Sequence, residues 1–334
     1  MKRILYLLLT LALLSAVYFG YIQKNTTSGK IHIADRDFIV KNIEDVNTIT
    51  IKSKGYPLIH LNLGSHGWVL NQKYKADIHI VNNMLGVLST MHINYIPPKS
   101  QNEMIQKSIK NVGIEIKTYD KKGKIITDFI MAGNTNSEDG TYCINAGASQ
   151  AYVMSRPIVV GGLRNYFTHD VIALRDKTVF SFNTDKIESI SVHYPKDTKN
   201  SFILNKVDDQ FELSTFGKAV NNKVEANVKL IQSYVQKFNR LMSENIGNNN
   251  PACDTIKNKI PFAVINIASS SEKPVELKFF PDMDIYDKTV NTQSIENLGQ
   301  VDRYFVESNW SDCYIVQHKL VSKCLKSLKY FEGK

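Results

Sequence analysis

Apolar positions recur along this chain with two periods. In Val46 to Ile51 and Leu58 to Leu63 apolar and polar residues alternate, which predicts strands in a sheet with one wet face. Val81, Met84, Leu85, Leu88 and Met91 then fall at i, i+3, i+4, i+7 and i+10, one stripe of an α-helix. Asp77 stands where that helix needs an N-cap, because its short carboxylate can accept from the first free backbone N–H groups.

The pattern then returns. Asn227, Ile231, Tyr234, Val235, Phe238 and Leu241 repeat the capped helix at a constant offset, predicting a helix over Asn227 to Met242. Upstream, Val46, Ile49 and Ile51 match Ile187, Ile190 and Val192, while Ile59, Leu61 and Trp68 match Phe202, Leu204 and Phe211. Downstream, Ile114 and Ile116 match Ile265 and Ile267, and Ile125 and Phe129 match Val275 and Phe279. Tyr142 and Tyr152 match Tyr304 and Tyr314, and Tyr166-Phe167 matches Tyr330-Phe331. The offset drifts only where loops lengthen, as in duplicated units.

Between these anchors, Glu103 to Lys110 predicts a short helix. Ile114 to Tyr119 and Lys124 to Ile130 predict a hairpin turning at Lys121-Lys122-Gly123. Phe262 to Ala268 and Val275 to Phe280 predict its counterpart. Further helices are expected over Ile158 to Phe167 and Leu320 to Phe331, and loops over Met131 to Gly140 and Pro281 to Gly299. The fold class is therefore α+β. Residues 1–30 form an anchor and linker, and two tandem units follow at 31–174 and 175–334. Each unit is mostly antiparallel sheet with helices packed on one side.

Ile4 to Ile22 carries no charge and follows Met1-Lys2-Arg3. The run matches the roughly 20 residues that cross a bilayer as a helix. Its positive start places the bulk of the chain on the far side, so a single-pass protein of the inner membrane with its bulk in the periplasm is expected. The alternative is a cleaved and exported chain. Against it, Leu14-Ser15-Ala16 and Tyr18-Phe19-Gly20 both put a large residue first, where a cleavage site wants a small one.

Charge adds little to this picture. Lys and Arg number 41 against 32 Asp and Glu, for a net charge of +9. Almost all the positive charge is scattered lysine and arginine is scarce, which argues against nucleic acid as a partner. The four cysteines make no CxxC motif. Cys143 lies in a strand-like run and reads as a buried free thiol. Cys253 can pair with Cys313 or with Cys324 in an oxidising compartment.

Four further stretches carry a resemblance: Leu174 to Phe180 between the units, Gly140-Thr141-Tyr142, Trp68-Val69-Leu70, and Asp302-Arg303-Tyr304. Together they resemble the bacterial domain-of-unknown-function family 4340 over nearly the whole chain after the anchor. The resemblance implies an envelope-associated protein, and some members are similar to extracytoplasmic auxiliary parts of gliding-type ABC transport systems. It supplies no catalytic residues.

Candidate chemistry is sparse. Asp282, Asp284 and Asp287 alternate in a loop and are candidate calcium ligands, although the usual loop glycine and distal glutamate are missing. Asn134, Asn136, Asp139 and Arg303 are candidate binding residues on the two loop regions; Arg303 is also expected to pair locally with Asp302. His60 and His66 flank a turn but lack a third zinc ligand. Ser311, Asp312 and His318 supply the atom types of a hydrolytic triad along a single strand and helix end, which is not triad geometry. No cofactor is implied. The expected role is a non-catalytic, membrane-anchored envelope protein that binds other proteins within a membrane complex. The alternatives are an extracytoplasmic peptide- or glycan-binding module and a hydrolase with an unrecognised site.

Overall fold

The structure is a computed structural model that describes residues 36–157, 161–217, 222–282, 294–295, 301–309 and 312–332. The chain divides into two compact units, Met1–Asp176 and Lys177–Lys334.

The first unit is built on one sheet of nine strands. In chain order these are β1 (Thr48–Ser53), β2 (Ile59–Gly64), β3 (Gly67–Leu70), β4 (Tyr74–Lys75), β5 (His92–Tyr95), β6 (Ile114–Tyr119), β7 (Ile125–Asn134), β8 (Thr141–Asn145) and β9 (Tyr152–Ser155). Their spatial order is β4-β3-β2-β1-β6-β7-β8-β9-β5, and every neighbouring pair is antiparallel. Helix α1 (Ile78–Thr90) forms where expected, because the Asp77 carboxylate accepts from the N–H groups of His79 and Ile80. It buries Val81, Met84, Leu85 and Leu88 against Ile49, Ile51, Ile59, Leu61 and Phe129 of the sheet.

The second helix, α2 (Asn102–Val112), packs on the opposite face. Successive strand residues point to opposite faces, and β7 uses both: Phe129 and Met131 join the α1 core, while Ala132 joins Ile105 of α2 with Tyr142, Ile144 and Val153. The expectation that helices lie on one side is thus corrected. The reason is legible in β8, where Thr141, Tyr142, Cys143 and Ile144 are all buried and neither face is left for water. A short helix, α3 (Val171–Leu174), closes the unit; Leu174 accepts from the N–H of Asp77. Within the helix expected over Ile158 to Phe167, the described residues 161–167 are not α-helical. Residues 158–160 lie outside the described residues, and the remainder holds one 3-10 turn, Leu163–Tyr166.

The second unit contains β10 (Thr178–Ser181), β11 (Ile187–His193), β12 (Phe202–Val207), β13 (Gln210–Thr215), helix α4 (Val228–Val235), β14 (Arg240–Met242), β15 (Asn245–Ile246) and helix α5 (Pro251–Ile256). These are followed by β16 (Ala263–Ser269), β17 (Val275–Pro281), β18 (Arg303–Ser308), β19 (Cys313–Gln317) and helix α6 (His318–Val321). Its main sheet runs β13-β12-β11-β16-β17-β18-β19-β15, and β10 pairs with β14 in a separate ribbon. From β2 to β5 and from β12 to β15 the two sheets place corresponding strands in the same order. Phe279 and Tyr304 meet edge to face on one side of the second sheet; Phe280 and Phe305 lie on the other, under Ala252, Cys253 and Ile256 of α5.

Two predicted helices break in this unit. Asn227 caps α4 as expected, but the helix ends at Val235; a 3-10 turn follows, and Leu241 pairs with Phe180 in the β10–β14 ribbon. Leu241 suits a helical stripe and a strand equally, and the non-local pairing decides. Leu320 to Phe331 is interrupted between α6 and a 3-10 turn at Leu328–Glu332. There the Tyr234 hydroxyl donates to the carbonyl of Cys324 (2.6 Å) and the Tyr194 hydroxyl to that of Lys326 (2.8 Å), so buried tyrosines engage backbone oxygens that a helix would have used.

Cys253 of α5 forms a disulfide with Cys313 of β19, which resolves the open pairing and leaves Cys143 and Cys324 free and buried. Burial pushes both thiols up, Cys324 to about 12. Protein exported through an oxidising compartment should therefore show no reactive thiol when folded and two when denatured without reductant. A thiol titration with Ellman's reagent measures this, and four reactive thiols in denaturant would disprove the bond.

Among the described residues no helix is long and apolar enough to cross a membrane; Ile4 to Ile22 lies outside them.

Candidate functional site

In the first unit the strand ends carry a broad groove of about 1090 Å³, lined by residues 37–47, the β2–β3 turn and the β6–β7 turn. Each lining segment has a local reason. After β6 the Asp120 carboxylate accepts from the N–H groups of Lys122 and Lys124, both at 2.8 Å, and Gly123 takes a positive φ of 80°. The tip therefore holds Lys121, Lys122 and Lys124 in solvent. On β2, Leu63 continues the alternation of Ile59 and Leu61 one step past the core, where its N–H still donates to Asn47. A 3-10 turn at Ile43–Asp45 leads into β1 and presents Glu44 and Asp45.

The result is an apolar lining between charges. Ile39, Leu63 and Ile125 are 36%, 43% and 50% exposed, and Val46 is buried beside them. Asp37, Glu44 and Asp45 come from one segment, and the three lysines from the other.

The second unit has a smaller pocket of about 550 Å³ at the corresponding strand ends, where β11 starts, β12 ends and β16 turns into β17. Ladder pairing makes Lys206 the counterpart of Leu63, since Ile51 faces Ile59 and Val192 faces Phe202. Lys206 donates to the carbonyl of Asp185 (3.1 Å) and pairs with Asp209 (3.2 Å). Where the first unit exposes leucine, the second lines its pocket with an ion pair.

The residues singled out from the sequence lie elsewhere. Asn134 accepts from the Thr141 hydroxyl, and Gly162 approaches it so closely that a Cβ there would overlap Asn134 Oδ1. The Asp139 carboxylate accepts from the hydroxyls of Thr135 (2.6 Å) and Tyr95 (3.3 Å). Hydrogen bonds from Thr135 and then Ser137 hold its carboxyl below the usual range. Asn136 is exposed in the same turn. Asn134 and Asp139 thus hold one self-bonded loop, and none of the three lines the groove.

Arg303 belongs to the second unit and forks onto Glu244, Nε to Oε2 at 2.9 Å and Nη2 to Oε1 at 3.3 Å. The expected pairing with Asp302 is corrected: a bidentate fork needs a carboxylate facing the guanidinium, which a sequence neighbour on a strand does not present. Asp282 follows β17, while Asp284 and Asp287 fall outside the described residues. Among the described residues no three metal-ligating side chains converge. His66 sits in the exposed β2–β3 turn and His60 within β2. Asp312 precedes β19 and accepts from Asn248 (2.9 Å), whereas His318 follows β19 and contacts the Tyr304 hydroxyl (3.2 Å). The whole strand lies between them, and Ser311 is outside the described residues.

Sequence reasoning missed the groove. Its one signal was apolar residues running up to the turns, Leu63 before Gly64 and Ile125 after Lys124. No curated protein and no solved structure matches the chain. A family model described as a domain of unknown function (DUF4340) matches residues 68–258, more than half of the chain, and the chain belongs to that family.

Proposed function

We propose that this protein is a non-catalytic component of the cell envelope, anchored in the cytoplasmic membrane by Ile4 to Ile22, that binds a segment of another protein in the groove of its first unit. The carrying observation is the groove itself: three exposed aliphatic side chains set among charged side chains of both signs. An apolar centre with a charged rim is the ordinary composition of a protein-binding surface. The common strand order supports reading the two units as copies of one duplicated module, in which the second lines its smaller corresponding pocket with Lys206 in place of a leucine. The disulfide fits a chain exported to the periplasm.

The test is crosslinking in intact cells, gentle solubilisation of the tagged full-length protein and mass spectrometry of what accompanies it. Leu63→Asp combined with Ile125→Asp should weaken binding of the recovered partner about a hundredfold. Fully burying such a side chain is worth about 1.5–3 kcal/mol, and each 1.4 kcal/mol is tenfold. Both positions are well exposed, so folding should be unaffected. A partner held equally well by the double variant would remove the groove from the binding site.

A further inference from the structure

We infer that the occupant of the groove is an extended peptide segment with an apolar centre, acidic on the flank that meets the β6–β7 turn and basic on the flank that meets residues 37–45. This rests on the protein-binding reading above and adds the partner's chemistry. Charge in the lining is sorted by chain segment. Lys121, Lys122 and Lys124 stand together on one turn, and none makes an ion pair with a described residue. The one acid on that turn, Asp120, is committed to the backbone amides that shape it. Asp37, Glu44 and Asp45 stand on the other segment against a single lysine, Lys41.

Two unlike flanks select a ligand with two unlike flanks, because juxtaposed like charges disfavour other ligands more than the matching pairs favour the right one. A lipid surface or nucleic acid presents negative charge alone and would meet Asp37, Glu44 and Asp45 unfavourably. A sugar ring needs a flat platform, and the lining contains no Trp, Tyr or Phe. Aliphatic side chains remain for Ile39, Leu63 and Ile125 to receive. A groove of about 1090 Å³ is at the upper end of small-ligand sites, which suits a run of several residues.

The experiment pans a random peptide library displayed on phage against the immobilised full-length protein at about 0.15 M salt, where charges within a Debye length of about 8 Å still act. Two variants run in parallel: K121E/K122E/K124E, and L63D/I125D. The expected selection against the wild type is an apolar core with acid on one side and base on the other, lost with L63D/I125D. The lysine-reversed variant should bind those peptides about tenfold more weakly and, when panned itself, should select base where the wild type selects acid. Peptides that need Leu63 and Ile125 but carry no charge pattern would overturn this inference and leave the protein-binding reading standing. Peptides indifferent to Leu63 and Ile125, or no selection at all, would overturn both.

Discussion

Phe331→Ala is expected to destabilise the second unit by about 4 kcal/mol, within the range for deleting a buried phenylalanine ring. The side chain is fully buried and meets Phe202 at 4.9 Å and Tyr234 at 5.2 Å, both edge to face. It therefore closes the core between β12 and α4, and each edge-to-face pair adds about 0.5–1.5 kcal/mol beyond the area it buries. Its carbonyl accepts from the N–H of Asn227, the residue that caps α4. Truncating the ring leaves a cavity and loosens the turn that holds this bond. Guanidinium unfolding followed by far-UV circular dichroism measures the loss. Trp68, buried in the first unit, serves as the internal control in a Trp310→Phe background, since the chain has two tryptophans. The Trp68 transition should stay in place while the second unit unfolds earlier. A loss below about 1 kcal/mol would show that the ring is not the keystone of that core, and an equal shift of both transitions would show that the two units unfold as one.

Legibility from the sequence followed locality. Helix α1 was readable because cap, stripe and length agree within one stretch, Asp77 to Met91. The β6–β7 hairpin was readable because its turn residues sit between two alternating runs. The second helix of the repeat failed at Leu241, where pairing with Phe180, far away in the chain, outweighed the spacing. The tyrosine match also slipped. Thr141 pairs with Met154 and Tyr304 with Val316, so the ladder aligns Tyr304 with Thr141 rather than with Tyr142. A one-residue shift moves a strand side chain to the opposite face: Tyr142 lies under α2, whereas Tyr304 meets Phe279 on the other side of its sheet. Hydrophobic spacing cannot register that shift when both faces of a strand are buried, as they are in β8. The groove was unreadable for a related reason. Leu63 has the pattern of a core residue, and its exposure depends on where residues 37–47 cross the strand ends.

Removal of the disulfide should cost the second unit about as much as loss of Phe331, by a different route. Cys253 and Cys313 are 60 residues apart in sequence, and the bond closes a loop that contains β16, β17 and β18. Constraining a loop of that length in the unfolded chain is worth about 4 kcal/mol in the chain-entropy account. In the folded state the bond ties α5 to β19, beside a small cluster of Ala252 and Ile256 of α5 with Phe280 and Phe305, on the face of the sheet away from α4. So small a cluster buries little, and without the bond α5 has few contacts to hold it. The Cys253→Ala/Cys313→Ala double variant should therefore lose about 4 kcal/mol in chemical unfolding. Its amide exchange should rise first in Pro251–Ile256 and not in α4. Reductant should shift the wild type by the same amount and leave the double variant unmoved, since Cys143 and Cys324 are already free. An unfolding midpoint indifferent to reductant in protein recovered from an oxidising compartment would show that the bond does not form. It would also withdraw the one covalent observation that supports export. A shift with exchange spread evenly over the unit would instead show that α5 is held by packing, with the bond acting through the unfolded chain alone.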